Sequence, residues 1–256
     1  MFEFKVIKKD KESEARVGIM KVSYGEVETP AFMPVATLGD VKTLISEDLK
    51  EIGVDILISN AYHLYLKPGV EIIEKAGGLH KFMNWDNPII TDSGGFQIFS
   101  LENVKVNEDG VIFKSKLDGS THFITPEKSI EIQNKIGADI IMAFDYCPKD
   151  WNNYSEIEKS VEFTLKWAER CKNYHKKEQQ TLFGIIQGGV YKELRKKCIE
   201  GLGKINFDGY GIGGLSIGEP EEKTLEMANF VSENLEEENL KYFMGMGMPL
   251  QLLNLI

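Results

Sequence analysis

The residues best suited to chemistry lie in four short segments, each of which follows a run of apolar residues. Residues 92–97 read Asp-Ser-Gly-Gly-Phe-Gln and come directly after the apolar run at 88–91. The other three segments are 144–147 (Phe-Asp-Tyr-Cys), 186–189 (Ile-Gln-Gly-Gly) and 213–216 (Gly-Gly-Leu-Ser). Because the carboxyl ends of parallel strands meet at one face of an α/β protein, we expect these segments to form an active face.

Asp92 is the first candidate for catalysis. The two glycines that follow Ser93 leave room for a substrate to approach the carboxylate, which has the chemistry of a general acid or base. The alternative interpretation of Asp-Ser-Gly-Gly is a tight turn closed by an Asx hydrogen bond, with no catalytic role.

Short apolar strands alternate with amphipathic helices after a β-rich opening, a pattern typical of βα units on a parallel sheet. The pattern predicts one α/β domain over residues 1–256, a TIM-type (β/α)8 barrel. Seven barrel strands are predicted, at residues 31–35, 55–59, 88–91, 139–144, 182–186, 210–213 and 242–244.

Helix signals support this assignment. Ser46 is predicted to cap a helix whose apolar face holds Leu49 and Ile52. Thr125 and Gly137 have the residue types of the N-cap and C-cap of a second helix.

Two further segments depart from the simple βα alternation. Residues 101–123 predict a β-hairpin insertion that stands over the active face, with a turn at 107–110. Residues 249–256 are amphipathic and carry no stop signal, so we expect a barrel that lacks its eighth strand and is unclosed.

Composition restricts the classes of function. The 256 residues are 42% hydrophobic, and no signal peptide or membrane span is evident, which favours a cytoplasmic protein without membrane contact. Three widely spaced cysteines predict neither a disulfide framework nor a metal site, and helical spacing places Cys171 and Cys198 in the core.

Charge argues against nucleic-acid binding, since the formal net charge is −10 and cations supply most of the affinity for phosphates. Residues 166–177 concentrate cations, which we interpret first as a solvated helix face. Residues 209–214 formally match GxGxxG, but they lie too late in the chain to open a dinucleotide-binding βαβ unit, so we reject that function.

From about Val17 to Ile256, the four segments in their order resemble the bacterial tRNA-guanine transglycosylases, also called queuine tRNA-ribosyltransferases. The resemblance implies exchange of the anticodon wobble guanine for a 7-deazaguanine, either preQ1 or queuine. It implies the tRNA anticodon loop as partner, and a homodimer is possible.

The resemblance also assigns roles to residues. Asp92 becomes the general acid/base, and Asp145 accepts hydrogen bonds from N1–H and the 2-amino group of guanine. Gln187 reads the O6 and N7 edge, and the Gly214 N–H reaches O6. The remaining residues assigned to the pocket sandwich the base, face its 7-substituent or line and support the site: Phe96, Met244, Leu215, Ser93, Asn60, Tyr242, Cys147 and Glu219.

This chain departs from the family pattern in two places. Tyr146 stands where most bacterial members have a glutamate that affects how the pocket treats the cationic aminomethyl group, so the choice between preQ1 and queuine stays open. The resemblance places the nucleophilic aspartate and a zinc-binding subdomain with three cysteines and a histidine beyond Ile256. We therefore expect no cofactor in this chain, and its own activity is in doubt.

A second hypothesis is a catalytically inactive, truncated paralogue that acts as a tRNA-binding or partner subunit. Retention of Asp92, Asp145 and Gln187 favours an enzyme pocket over an interaction surface, whereas the missing strand favours the inactive product.

Overall fold

The computed structural model describes residues 2–13 and 15–256. Its strands, in chain order, are β1 (Glu3–Lys9), β2 (Arg16–Val22), β3 (Gly25–Thr29), β4 (Leu57–Asn60), β5 (Ile89–Asp92), β6 (Lys105–Asn107), β7 (Gly110–Lys114), β8 (Thr121–Ile124), β9 (Ile140–Met142), β10 (Thr181–Ile186), β11 (Gly209–Ile212) and β12 (Leu240–Phe243). The helices are α1 (Ser46–Glu51), α2 (Ala61–Leu66), α3 (Val70–Lys75), α4 (Leu79–Met83), α5 (Gly95–Phe99), α6 (Pro126–Ile136), α7 (Tyr154–Tyr174), α8 (Lys192–Ile205), α9 (Glu221–Glu233) and α10 (Pro249–Leu255).

A parallel sheet of six strands forms the centre of the molecule, in the order β12-β11-β10-β9-β5-β4. Neighbours in the sheet follow one another along the chain, apart from the β6–β8 excursion, and helices connect them. The register places strand ends side by side, with Asn60 opposite Asp92 and Ile186 opposite Ile212. This confirms the predicted α/β fold with TIM-type parallel strands.

The first predicted barrel strand, at residues 31–35, is wrong as a full strand. Only Val35 pairs with the sheet, through an isolated bridge to Ile58. Pro30 and Pro34 explain the difference, because proline has no N–H to donate to a strand ladder. The remaining contacts are hydrogen bonds from the Ile58 N–H to the Pro34 carbonyl and from the Ala36 N–H to the Ile58 carbonyl.

Two hydrophobic layers cover the sheet. Helices pack on one face, where Trp167, Ile130 and Ile186 are buried. The antiparallel sheet β1-β2-β3 packs on the other face, where Met20 and Phe183 belong to a second cluster. A parallel sheet must be covered on both faces. The antiparallel sheet covers the face that the strands of a closed barrel would cover themselves.

The helix signals were partly right. The Thr125 hydroxyl accepts the Lys128 N–H at 3.2 Å, and Gly137 ends α6 in the left-handed conformation, which confirms that prediction. The Ser46 prediction was wrong: Ile45 is the N-cap of α1, while the Ser46 hydroxyl donates to the Met83 carbonyl. Ile52 is 67% exposed and contributes nothing to the apolar face.

The insertion is larger than the predicted hairpin. Its strands β6, β7 and β8 form an antiparallel sheet of three strands, because residues 121–124 return to pair with β7. The insertion is tied to α7 by the Trp167 indole N–H, which donates to the Glu108 carbonyl at 2.8 Å. Lys166 and Arg170, from the cationic stretch, form ion pairs with Glu108 and Glu127.

Cys171 and Cys198 are fully buried, as predicted, and burial raises the pKa of each thiol to about 12. No helix within the described residues combines the length and the apolar character needed to cross a membrane.

Asp139 joins the two sheets at the amino-terminal end of the barrel strands. Its Oδ1 accepts the Tyr24 N–H at 2.9 Å, and its Oδ2 accepts the Ile89 N–H at 2.9 Å and lies 3.0 Å from His80 Nε2. The Tyr24 ring stacks on the His80 ring with centroids 3.5 Å apart. A buried carboxylate in this position connects β5 to the turn between β2 and β3.

We expect Asp139→Ala to lower the free energy of unfolding by about 3–5 kcal/mol, because it leaves buried donors without an acceptor. Chemical denaturation measures the change. Asp86→Ala is the matched control, since the Asp86 side chain is 83% exposed. Equal stability of the two variants would contradict this role for Asp139.

Candidate active site

The candidate active site is built from the carboxyl ends of adjacent strands. Asp92 is the last residue of β5, and Gln187 follows β10 directly. Asp145 comes three residues after the end of β9, and Gly214 comes two residues after the end of β11. Parallel pairing therefore brings residues from distant parts of the sequence to one edge of the sheet, as the sequence predicted.

Asp145 is the centre of a buried hydrogen-bonded cluster. The Ser93 hydroxyl donates to Asp145 Oδ1 at 2.9 Å, and Gln187 Nε2 donates to Oδ2 at 2.7 Å. Ser93 Oγ also accepts the Gly95 N–H at 3.1 Å. Asp145 and Gln187 are only 5% and 1% exposed, so these donors replace the water that a carboxylate would otherwise bind.

The electrostatics of Asp145 reflect two opposing effects. Burial raises the pKa of its carboxyl, whereas the hydrogen bonds from Ser93 and Gln187 stabilise the ionised form and oppose the rise. Each carboxylate oxygen has about two acceptor positions and uses one of them for these partners. Each oxygen therefore keeps an acceptor position beyond its bond to Ser93 or Gln187.

Asp92 has the properties of a proton-transfer group. Burial, together with the charge of Asp145, raises the pKa of Asp92 to about 7, and a hydrogen bond from Tyr242 opposes the rise. The Tyr242 hydroxyl donates to Asp92 Oδ1 at 3.5 Å. Because general acid/base catalysis is most efficient when the pKa lies near the working pH, Asp92 is suited to both halves of a proton exchange.

Gln187 carries an unused acceptor at the site. Its Oε1 is buried and has no hydrogen-bond partner among residues 2–13 and 15–256. An unpartnered buried oxygen is destabilising by about 1–3 kcal/mol. Its Nε2 has a second hydrogen besides the one donated to Asp145, which leaves a donor for an acceptor on the ligand.

Two glycines of the first segment are required by close contacts. Gly94 has φ +84°, and a Cβ there would lie 2.5 Å from Tyr62 Cβ. A Cβ on Gly95 would lie 2.6 Å from Asp145 Oδ1. The sequence predicted room for a substrate at these glycines; the structure shows that the room is taken by Tyr62 and by the Asp145 carboxylate.

Asn60 connects the ends of β4 and β5. Its Oδ1 accepts the N–H groups of Tyr62 and His63 and so caps α2, while its Nδ2 donates to Gln97 Oε1 at 3.0 Å. Asn60 therefore holds the loop that follows Asp92.

The other predicted pocket residues are distributed around this cluster. The Met244 sulfur lies beside the ends of β11 and β12. A Cβ on Gly211 would come within 3.2 Å of this sulfur, and a Cβ on Gly213 within 3.6 Å. Phe96 is 48% exposed on α5, whereas Cys147 and Leu215 are 4% exposed. A sandwich of a ring between Phe96 and Met244 stays a prediction.

Glu219 is engaged within its own loop. Its carboxylate accepts the N–H groups of Ser216 and Ile217 and the Thr224 hydroxyl. Burial opposes ionisation, but these hydrogen bonds outweigh it and lower the pKa of Glu219. Glu219 thus fixes the backbone that follows Leu215, and direct contact with a ligand stays a prediction.

Tyr146 lies between Asp145 and Cys147 in sequence but its ring packs away from the cluster. It stacks on Phe99 with centroids 4.2 Å apart, and its hydroxyl donates to Glu156 at 3.1 Å. Position 146 therefore adds no charge beside Asp145.

A sequence model described as "Queuine tRNA-ribosyltransferase" matches residues 10–256. The chain is 55% identical to the queuine tRNA-ribosyltransferase of Thermoanaerobacter pseudethanolicus, over 96% of this chain and 66% of that protein. The chain belongs to the queuine tRNA-ribosyltransferase family. Relatives of the same name include those of Fusobacterium nucleatum, 51% identical over 96% of this chain and 67% of that protein, and Thermotoga neapolitana, 52% identical over 99% and 68%.

The chain spans 66% of the length of several of these curated relatives. The zinc that the family resemblance implies is not matched by the described residues, among which no group of three or more His, Cys, Asp or Glu side chains could hold a metal ion. The zinc site stays a prediction.

Two buried polar residues that support the candidate site were not predicted from the sequence. Gln133 Nε2 donates to the Met142 carbonyl at 2.9 Å and its Oε1 accepts the Met142 N–H, so Gln133 fixes the end of β9. Arg195, on α8, is fully buried. The signal for both was available: each lies on the buried face of an amphipathic helix, where a polar residue needs a partner.

We expect the carboxyl of Asp92 to titrate near pH 7, measured by carbon-13 NMR of labelled aspartate. Asp145→Asn lowers this pKa because it removes a neighbouring negative charge, and Tyr242→Phe raises it because it removes a hydrogen bond to the ionised form. Tyr174→Phe, at an exposed tyrosine, is the control. If the pKa of Asp92 is the same in both variants as in the unmodified chain, then Asp145 and Tyr242 do not interact with it.

We expect Gly95→Ala to disrupt the Asp145 cluster, because its Cβ would come within 2.8 Å of two Asp145 oxygens. Denaturation should show a loss of stability of about 1–3 kcal/mol. Gly203→Ala is the matched control, since a Cβ in that part of α8 meets no atom within 4 Å and should stabilise the helix by about 0.5–1 kcal/mol. Stabilisation by both changes would contradict the contact with Asp145.

Proposed function

We propose that this chain supplies the base-recognition and proton-transfer residues of a tRNA-guanine transglycosylase. The reaction exchanges guanine at the wobble position of the anticodon for a 7-deazaguanine, preQ1 or queuine. The observation that carries the proposal is the buried Asp145 carboxylate, held by Ser93 and Gln187 beside Asp92.

Recognition of guanine follows from the donors and acceptors at the cluster. Guanine presents N1–H and a 2-amino group on one edge, and a carboxylate with free acceptor positions on both oxygens matches that pair of donors. On the adjacent edge, O6 and N7 are acceptors, matched by the second hydrogen of Gln187 Nε2 and by the Gly214 N–H. Adenine reverses the donor and acceptor at two of these positions, so the cluster discriminates against it.

Proton transfer is assigned to Asp92. A departing base needs a proton and an arriving base must lose one. With its pKa raised to about 7 by burial and by Asp145, Asp92 exists in both protonation states near neutral pH and so performs either step. The steps proposed for the described residues are base reading and proton transfer.

The partner in this proposal is a single-stranded anticodon loop. A base in such a loop leaves its neighbours at lower energetic cost than a base in a duplex, and a buried cluster at the strand ends acts only on a base that has been turned out. The net charge of −10 limits the affinity that phosphate contacts provide, so recognition of the extruded base must supply specificity.

Equilibrium dialysis with tritiated guanine and adenine tests the proposal. The chain should bind guanine in preference to adenine, and Asp145→Ala should weaken guanine binding by about 1–3 kcal/mol, because hydrogen bonds to a charged group are lost. Asp86→Ala, at an exposed aspartate, should leave the affinity unchanged. Equal affinity for the two purines, or unchanged guanine affinity after Asp145→Ala, would refute the proposal.

A further inference from the structure

The guanidinium of Arg195 is fully buried where the ends of β10 and β11 meet. Its three nitrogens donate to three main-chain carbonyls: Nε to Gly189 at 2.7 Å, Nη2 to Gly213 at 3.0 Å and Nη1 to Ile186 at 3.4 Å. These carbonyls flank Gln187 on one strand and precede Gly214 on the next. Arg195 thus binds the backbone of both segments from the side of α8.

The bond to the Gly213 carbonyl sets the direction of the next N–H. The peptide bond between Gly213 and Gly214 is trans, since the cis bonds of the described residues are those before Pro30 and Pro68. In a planar trans peptide the carbonyl and the N–H point in opposite directions. A guanidinium that holds the Gly213 carbonyl toward α8 therefore directs the Gly214 N–H away from α8.

Gly214 lies against the Asp145 cluster. A Cβ on Gly214 would lie 2.2 Å from Gln187 Oε1. Gly214 is therefore in close contact with Gln187, whose Nε2 donates to Asp145.

The same guanidinium holds the segment after Gln187. Its Nε binds the Gly189 carbonyl. A Cβ on Gly188 would come within 2.6 Å of the main-chain nitrogen of Arg195, so this segment packs directly against α8. The Ile186 carbonyl accepts the Gly213 N–H at 3.1 Å in addition to Arg195. One side chain therefore fixes the position of Gln187 relative to Gly214.

We propose that Arg195 is a positioning residue for base recognition, which aims the Gly214 N–H at the 6-oxo group of the purine through its bond to the Gly213 carbonyl. This inference rests on the proposed function. It assigns the discrimination of a 6-oxo group to a side chain that never touches the ligand.

The chemistry of arginine suits this position better than that of lysine. The planar guanidinium presents donors in a fixed fork, which matches carbonyls on two different strands, whereas an ammonium group is compact and reorients freely. Burial lowers the pKa of Arg195 to about 10, so the group is still a cation at neutral pH and keeps all its donors.

The test compares guanine with 6-thioguanine, which keeps N1–H and the 2-amino group but has a weak acceptor in place of O6. In equilibrium dialysis with purified chain, Arg195→Lys should weaken guanine binding about tenfold, the effect of losing one hydrogen bond. It should weaken 6-thioguanine binding by less than about threefold, because that ligand gains little from the Gly214 N–H. Arg170→Lys, at an arginine paired with Glu127, should change neither affinity.

A second measurement on the unmodified chain does not depend on the variant. In nitrogen-15 NMR with labelled glycine, the Gly214 amide proton should move downfield when guanine binds and move less when 6-thioguanine binds. In Arg195→Lys the guanine-dependent movement should be lost.

The outcomes separate the two proposals. If the unmodified chain binds no guanine, the proposed function fails. If it binds guanine but Arg195→Lys weakens both ligands equally, or neither, or the Gly214 proton does not respond, then only the role of Arg195 is overturned. Failure of the variant to fold, while Arg170→Lys folds, would assign the guanidinium to folding and would overturn the positioning role as well.

Discussion

A carboxylate removed from water needs hydrogen-bond donors around it. The arrangement of most side chains in the candidate site satisfies this need at Asp145. Ser93 and Gln187 reach it from two other strand ends, and Gly95 leaves the space in which its oxygens lie. Because no single segment supplies all of these groups, the requirement ties three strands to one geometry. The same carboxylate acts on Asp92, whose pKa rises to about 7 through burial and the neighbouring charge. The two carboxyl groups are therefore coupled by electrostatics.

The backbone is as much a part of the site as the side chains. Peptide groups at the ends of parallel strands have no further strand partner, so they are available for a ligand or for a supporting side chain. The Gln133 side chain forms hydrogen bonds with the N–H and the carbonyl of Met142. The Arg195 guanidinium donates hydrogen bonds to carbonyls near Gln187 and Gly214. Both come from helices on the outer face of the sheet. The helices thus position the site in addition to covering the core.

Much of the fold was predictable because its signals are local. Six of the seven predicted barrel strands lie where apolar runs end in glycine or polar residues, and Thr125 and Gly137 bound α6 as their residue types indicate. The errors have local causes as well. Prolines at positions 30 and 34 left a single bridge instead of the first strand. Ile52 is the exposed C-cap of α1, a helix of only six residues and too short for its period to be read. In the insertion, the return of β8 to β7 depends on pairing across a turn, which apolar spacing alone does not specify.

The amino-acid sequence by itself determined the residue types at the strand ends, and with them the candidates Asp92, Asp145, Gln187 and Gly214. This was possible because catalytic and binding groups collect at the carboxyl ends of parallel strands, and the order of the strands follows the order of the chain. Only the tertiary structure decided which of these groups are in contact and that the Tyr146 ring packs away from the cluster. It also decided that Arg195 forms hydrogen bonds with carbonyls after both β10 and β11. Those outcomes depend on side-chain direction and on contacts between residues far apart in sequence, and neither periodicity nor spacing carries that information.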